Sequence, residues 1–253
     1  DVDASWCARA LEISGHEWEH VRSGNVGYGA ANNRGLERAR NARNTRWAVV
    51  SNPDIEIPDP LALWRLLREL SEASEAGVWL AGPRLVAPDG RLQNPYLTSD
   101  LSQRAVRIEK ARYEWPVTSH VFRGLQLARA TLRSLQGPVP RTVIADACDH
   151  THTQRVFALH GSFLMMDLDL MTNGGVYPPF DERMFLYAEE LALARRVLLA
   201  GGAQLYVPSV EVVHKEDASN RSRPRTRTLW RTLRQYQRSR ALVMRDYYRD
   251  YST

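Results

Sequence analysis

Short apolar runs and stretches of helical periodicity alternate along most of this chain. The run Trp47-Ala48-Val49-Val50 reads as a buried strand that ends on Ser51-Asn52-Pro53-Asp54, just before a turn at Pro58-Asp59-Pro60. In residues 61–70, Leu63, Leu66, Leu67 and Leu70 recur on one side of a predicted helix that packs on a sheet. Val78-Trp79-Leu80-Ala81 reads as the next strand and residues 91–95 as a turn. Two short amphipathic helices with arginine on their polar sides are predicted over 104–115 and 125–135, then a polar loop leads to a strand at Val156-Phe157-Ala158-Leu159. An aromatic-rich, strand-like run, Met184-Phe185-Leu186-Tyr187, precedes a helical segment whose face is kept by Leu191, Leu193 and Val197. A β-branched run ends at Val212-Val213-His214.

From Thr228 onward the pattern changes. Leu229, Leu233, Tyr236, Arg240 and Val243 fall near one helical face, interleaved with a dense series of arginines that concentrates the net charge of +5 in this tail. A basic amphipathic helix with Trp and Tyr suits an anionic membrane surface, and docking on the rest of the chain is an equal reading. Nucleic acid is not an expected partner, because no recognition fold accompanies the charge.

Composition narrows the frame. With 253 residues, 43% of them hydrophobic, the chain has enough apolar material for one substantial core, so one α/β domain with an appendage is the simplest division. No apolar run approaches the roughly 18 residues of a membrane span, and no secretory leader is expected. Two cysteines, Cys7 and Cys148, form no disulfide framework, which fits a cytoplasmic protein.

Candidate chemistry lies at three places. Asn25-Val26-Gly27-Tyr28-Gly29-Ala30-Ala31-Asn32-Asn33-Arg34-Gly35 opens a helix running to about Arg43, and its glycines and helix start favour close approach of a phosphate. This is not a dinucleotide fingerprint, nor does it hold the G-K-[ST] of a phosphate loop. Asp54 closes a predicted strand, where ligands of α/β sheets usually bind, although Asn-Pro-Asp is also ordinary turn chemistry. Adjacent Glu189 and Glu190 open a helix and His214 ends a strand; together they suit a general base and a divalent ion, while the Glu pair alone equally suits the helix dipole.

Taken in order, these segments resemble the family 2 inverting glycosyltransferases, especially the rhamnosyltransferase-like branch with the GT-A fold. The resemblance adds Ala81-Gly82-Pro83-Arg84-Leu85, Pro88-Asp89-Gly90, His160-Gly161-Ser162-Phe163-Leu164-Met165, Phe180-Asp181 and Tyr206-Val207-Pro208, and it covers most of residues 1–219. It implies an α/β fold with a mostly parallel, mixed central sheet and flanking helices. It implies that Glu190 is the general base with Glu189 the second candidate, although the family usually has Asp at that position. It places the donor against Asp3, Asn25, Gly27, Gly29, Asn33, Asn52 and Asp54, and the acceptor against His160, Gly161 and Tyr187. Asp54 and His214 would hold Mn²⁺ or Mg²⁺ against the diphosphate of a nucleotide-sugar, with dTDP-L-rhamnose preferred over a UDP-sugar. The implied acceptor is a lipid-linked or polymeric cell-envelope glycan, handled in the cytoplasm or at the inner face of the plasma membrane.

In this frame residues 1–219 form the GT-A domain, 96–155 its divergent acceptor-side region and 220–253 a basic helical tail. The chain starts near Asp3-Ala4-Ser5, where the resemblance puts the end of the second strand, so the family's first strand is expected to be absent. A non-catalytic nucleotide-sugar-binding or scaffold protein of the same fold is the rival reading.

Overall fold

Strand β3 (Val78–Val86) is buried along nearly its whole length, as a strand covered on both faces must be, and the sheet assembles around it. The computed structural model describes residues 19–114, 120–121, 124–125, 148–215 and 226–251, the side chains of 226–229 excepted. The other elements, in chain order, are α1 (Tyr28–Arg43), β1 (Trp47–Ser51), β2 (Ile55–Glu56), α2 (Ala62–Ser74) and α3 (Gln103–Tyr113). They continue through β4 (Gln154–Val156), β5 (Phe163–Asp167), α4 (Leu168–Asn173), α5 (Glu189–Leu199), β6 (Ala203–His214) and α6 (Thr226–Tyr247).

The sheet order is β1-β5-β3-β6-β2, with β4 joined to the first half of β6. Its mixed character matches the expectation, but the balance differs: among the described residues only β3 and β6 pair in parallel. Strand β5 enters between β1 and β3 running against both, which makes both of its pairings antiparallel. The parallel ladder slips from Pro83 opposite Val207 to Arg84 opposite Glu211, so the last turns of β6 are re-aimed and deliver His214 opposite Ile55 of β2.

Successive residues of the central strands point to opposite layers. Leu80, Leu164, Met166 and Tyr206 face one cluster with Leu36 of α1, Leu168 and Met171 of α4, and Leu193 and Val197 of α5, and Trp79 joins them because the ladder is irregular between Val78 and Leu80, which breaks the alternation there. Ala81, Phe163, Met165, Leu205 and Val207 face the other, under Ala62, Leu66 and Leu70 of α2. Leu66 and Leu70 thus pack as expected, whereas Leu63 is 43% exposed, because the buried stripe runs through Ala62 instead. The predicted strand-like run at 184–187 is a loop, since Tyr187 and Ala188 adopt left-handed φ values of 73° and 66° that no strand contains. The predicted helix over 104–115 is present as α3, while most of the one over 125–135 lies outside the described residues.

Helix α6 docks on the domain. Val243, Met244 and Tyr248 are fully buried in a third cluster with Leu191, Ala192 and Ala194 of α5, Val106 of α3 and Met184. Beside them the Arg240 guanidinium is buried against Glu109 of α3, with Nε at 3.1 Å from Oε2. Arg195 of α5 reaches Asp100 at 2.6 Å, and the Tyr248 hydroxyl donates to the other oxygen of the same carboxylate at 2.6 Å. The apolar side of α6 is therefore covered by its own domain. Met244→Ala should cost about 2–5 kcal/mol in urea unfolding, while Arg238→Ala on the outer face should stay within about 0.5 kcal/mol. Equal, small losses would mean that α6 is only loosely apposed.

Candidate active site

The site is built around the turn at His160-Gly161, which joins β4 and its following loop to β5. Asn94 orients this turn: its Oδ1 accepts from the His160 backbone N–H at 2.7 Å, and its Nδ2 donates to the Pro83 carbonyl at 2.9 Å. The His160 ring is fixed by Ser162, with Nδ1 2.9 Å from the hydroxyl, and packs edge-on against Tyr96. On the other side of the turn, the Tyr28 hydroxyl donates to the Gly161 carbonyl at 2.5 Å. Tyr28 and Tyr96 are both held protonated, first by burial and then by the negative field of Glu190.

Glu190 lies against this turn. A Cβ added at Gly161 would sit 3.0 Å from Glu190 Oε1, so glycine at that position leaves room for the carboxylate. Glu190 is half-buried at the start of α5, whereas Glu189 is 4% exposed and one of its oxygens, Oε1, is buried without a hydrogen-bond partner. Burial, then the charge of Glu190, pushes the Glu189 carboxyl up to about 8, partly offset by the backbone N–H groups of Glu189 and Tyr187. The two acids are thus differentiated: burial favours the protonated form of Glu189, and Glu190 is the one that borders the turn.

The loop before α5 is aimed by α1. Asn33 spends its whole amide there: Nδ2 donates to the Phe180 carbonyl at 2.8 Å and to Glu182 Oε1 at 3.1 Å, and Oδ1 accepts from the Phe180 N–H at 3.1 Å. The Tyr28 N–H donates to the Phe185 carbonyl at 2.9 Å. Gly27, at φ 98°, and Gly29 allow that closeness, for added Cβ atoms would meet Phe185 O at 2.6 Å and Phe180 Cβ at 2.9 Å. The structure therefore places Gly27, Gly29 and Asn33, expected at the donor, in contact with the acid-bearing loop, where they scaffold it. Asn25 is exposed just ahead of them, and Asp3 lies outside the described residues.

The second half of the site is the pair Asp54 and His214. His214 Nε2 stands 3.3 Å from Asp54 Oδ1, and its Nδ1 is 2.8 Å from Gln93 Oε1. Because an amide oxygen only accepts, the Gln93 contact suits the tautomer with its proton on Nδ1, which turns the Nε2 lone pair toward the carboxylate. Asp54 Oδ1 is buried and has no hydrogen-bond partner. Two acceptors facing each other in a buried place fit a cation between them, with Gln93 fixing the ring from behind. Among the described residues no cluster of three His, Cys, Asp or Glu side chains surrounds them, so a cation would need further oxygen ligands from a substrate. Asn52 lies beside the pair, its N–H bonded to the Ser162 carbonyl at 2.8 Å.

The two halves meet through His160, whose ring lies 5.7 Å from that of His214. Tyr187 sits three residues before Glu190 and stacks edge-on with Tyr236 of α6 at 5.9 Å. Sequence reading missed Gln93, Asn94, Tyr28 and Tyr96. The first two lie in the segment read as a turn, a Gln-Asn pair after Pro88-Asp89-Gly90 that is buried. At Asp149-His150-Thr151-His152, His150 turns inward to the Tyr206 hydroxyl at 2.9 Å and His152 bonds Asp149 at 2.7 Å, as befits a polar loop.

No family model matches the chain. It is similar to the N-acetylglucosaminyl-diphospho-decaprenol L-rhamnosyltransferases of two Mycobacterium tuberculosis strains, CDC 1551 / Oshkosh and ATCC 25618 / H37Rv. Each is 29% identical over 202 residues, covering 75% of this chain and 56% of the relative, so the chain spans little more than half the length of the proteins it matches. A solved structure of GalNAc-T7 with UDP, GalNAc and Mn²⁺ superposes with a TM-score of 0.50 at 11% identity, covering 85% of this chain and 35% of that one. That likeness establishes a GT-A fold.

The Glu189 environment has a pH consequence. A carboxyl raised in the folded state contributes stability that is present below the unfolded pKa, near 4.5, and is lost as pH rises through about 8. Wild-type Tm should thus fall between pH 5 and 8 relative to Glu189→Gln, measured by thermal melts across that range. Parallel curves for the two proteins would show that Glu189 is not held neutral.

Proposed function

From a chain that is rhamnosyltransferase-like in sequence and GT-A in fold, we propose a metal-dependent inverting glycosyltransferase. The observation that supports it most is the placement of Glu190 on one side of the His160-Gly161 turn and of Asp54 and His214 on the other. A base for an acceptor hydroxyl and a seat for a leaving diphosphate are the two groups a single displacement needs. Donor and acceptor would meet over that turn.

Asp54 and His214 would hold Mn²⁺ or Mg²⁺, whose chemistry is to neutralise the diphosphate as it leaves. The half-buried Glu190 carboxylate takes the proton of the acceptor hydroxyl. The freed oxygen bonds the anomeric carbon from the face opposite the leaving group, the bond to the phosphate oxygen breaks, and the centre inverts without a covalent enzyme intermediate. His160, in the turn that Glu190 borders, and Tyr187, in the loop that leads to it, position the acceptor. The donor of first choice is dTDP-L-rhamnose, with a UDP-sugar second. The acceptor, by the likeness to the decaprenol-linked transferases, is a lipid-linked glycan of the cell envelope.

Glu190→Gln should lower transfer by about 10²–10⁴-fold, since a general base acts mainly in the transition state, while calorimetric donor binding stays near wild type. Glu189→Gln should be milder. If Glu190→Gln turns over normally, the assigned base is wrong.

Asp54→Ala and His214→Ala should abolish the Mn²⁺ dependence of donor binding without unfolding the chain. Gln93→Leu, which removes only the group behind the imidazole, should weaken metal affinity by about 10–100-fold. Calorimetric titration of donor with and without Mn²⁺ decides the point, and unchanged affinity in all three variants would remove these residues from a metal site.

A further inference from the structure

The arginines of α6 whose side chains are described fall into two sets. Arg240 and Arg245 are matched by carboxylates, Glu109 at 3.1 Å and Asp246 at 2.8 Å. Arg231, Arg234 and Arg238 are exposed, and among the described residues no carboxylate pairs with any of them. Their spacing of three and then four residues makes one stripe on the helix. Two of them, Arg234 and Arg238, line a groove of about 350 Å³ between α3 and α6, together with Tyr113, His120, Trp230 and Gln237. Trp230 is 41% exposed, and the Arg234 guanidinium lies over its ring at 5.6 Å.

This groove shares a wall with the acceptor side of the site. Tyr236 packs edge-on against Tyr113 at 6.1 Å on the groove side and against Tyr187 at 5.9 Å on the other. Ser239 of the same helix donates to the Leu186 carbonyl at 2.9 Å, tying α6 to the loop that carries Glu190. From Tyr236 to Trp230 the helix rises about 9 Å.

We propose that this groove binds the diphosphate of a lipid-linked acceptor, with Arg234 and Arg238 on the phosphates and Trp230 on the first part of the lipid chain. The inference rests on the glycosyltransferase reading and deepens it. Guanidinium pairs suit phosphate oxygens through forked hydrogen bonds, an indole suits the boundary between an anionic head and an apolar tail, and the volume lies within the range of ligand pockets. A sugar joined to a diphosphate held there extends past Tyr236 and Tyr187 toward Glu190.

The test is co-sedimentation with neutral phosphatidylcholine vesicles doped with farnesyl diphosphate, without divalent cation so that Asp54 and His214 do not contribute. Inorganic pyrophosphate as competitor and phosphatidylglycerol vesicles serve as comparison. Arg234→Ala/Arg238→Ala should weaken binding to the doped vesicles at least tenfold, and pyrophosphate should compete. Arg245→Ala, which removes a matched arginine, should change it less than twofold. Three results would overturn the proposal: no binding to doped vesicles, equal loss in the Arg245 variant, or equal binding to phosphatidylglycerol with no competition by pyrophosphate. The last would identify a general anionic surface instead. Calorimetric nucleotide-sugar binding with Mn²⁺ is read on the same variants, so a groove that fails beside an intact donor site, or the reverse, shows which reading is lost.

Discussion

The grip of α1 on residues 180–188 is the constraint on which the rest of the site depends. Tyr187 and Ala188 both occupy the left-handed region, a conformation that costs non-glycine residues on the order of 1–3 kcal/mol each and persists only where neighbours enforce it. The neighbours here are Asn33, bonded to Phe180 in both directions, the Tyr28 N–H on Phe185, and Ser239 on Leu186. These bonds fix the direction in which the chain enters α5. The result is that adjacent glutamates take opposite fates, one sealed away from water and one against the His160-Gly161 turn.

Much of this was legible in the sequence, and for definite reasons. Helix α1 was expected to run to about Arg43 and ends there; the apolar runs at 47–50 and 78–81 are strands; and Leu191, Leu193 and Val197 are all buried. Those features depend on local periodicity. The approach of Asp54 to His214 and of Glu190 to Gly161 came only through the family resemblance, because residues separated by 160 and by 29 positions leave no periodic trace of their contact. The structural part played by Asn33 was hidden for a related reason. A polar residue in a glycine-rich helix start reads as a ligand group, yet its partner is the backbone at Phe180, 147 residues away. Gln93 and Asn94 were overlooked since buried amides that satisfy carbonyls and ring nitrogens look, in sequence, like a surface turn.

Helix α6 shows how one amphipathic pattern answers two questions. Its apolar residues and Arg240 are satisfied internally, as a buried guanidinium must be, since an unpaired one would carry a large desolvation penalty. That uses up the face read as membrane-directed, so any contact with lipid falls to the exposed stripe and Trp230. Basic residues alone would make a diffuse attraction, screened within about 10 Å at 0.1 M salt. Convergence on a groove beside Tyr236 is what gives the stripe a place relative to the site.

Charge around the turn bears on the need for a cation. On the proposed reading a doubly phosphorylated donor enters a region that already holds Asp54 and Glu190. Lys215, the residue after His214, is at 2.6 Å from Glu56 and so is already matched. Bringing phosphates toward an ionised Asp54 in a partly buried place is unfavourable, and the interaction weakens slowly with distance where water is excluded. Asp54 Oδ1, buried without a hydrogen-bond partner, and His214 Nε2 would hold a divalent cation, whose charge would reverse the sign of that interaction. On that reading the Asp54 carboxylate, which would repel the bare donor, would instead favour its metal-bound form.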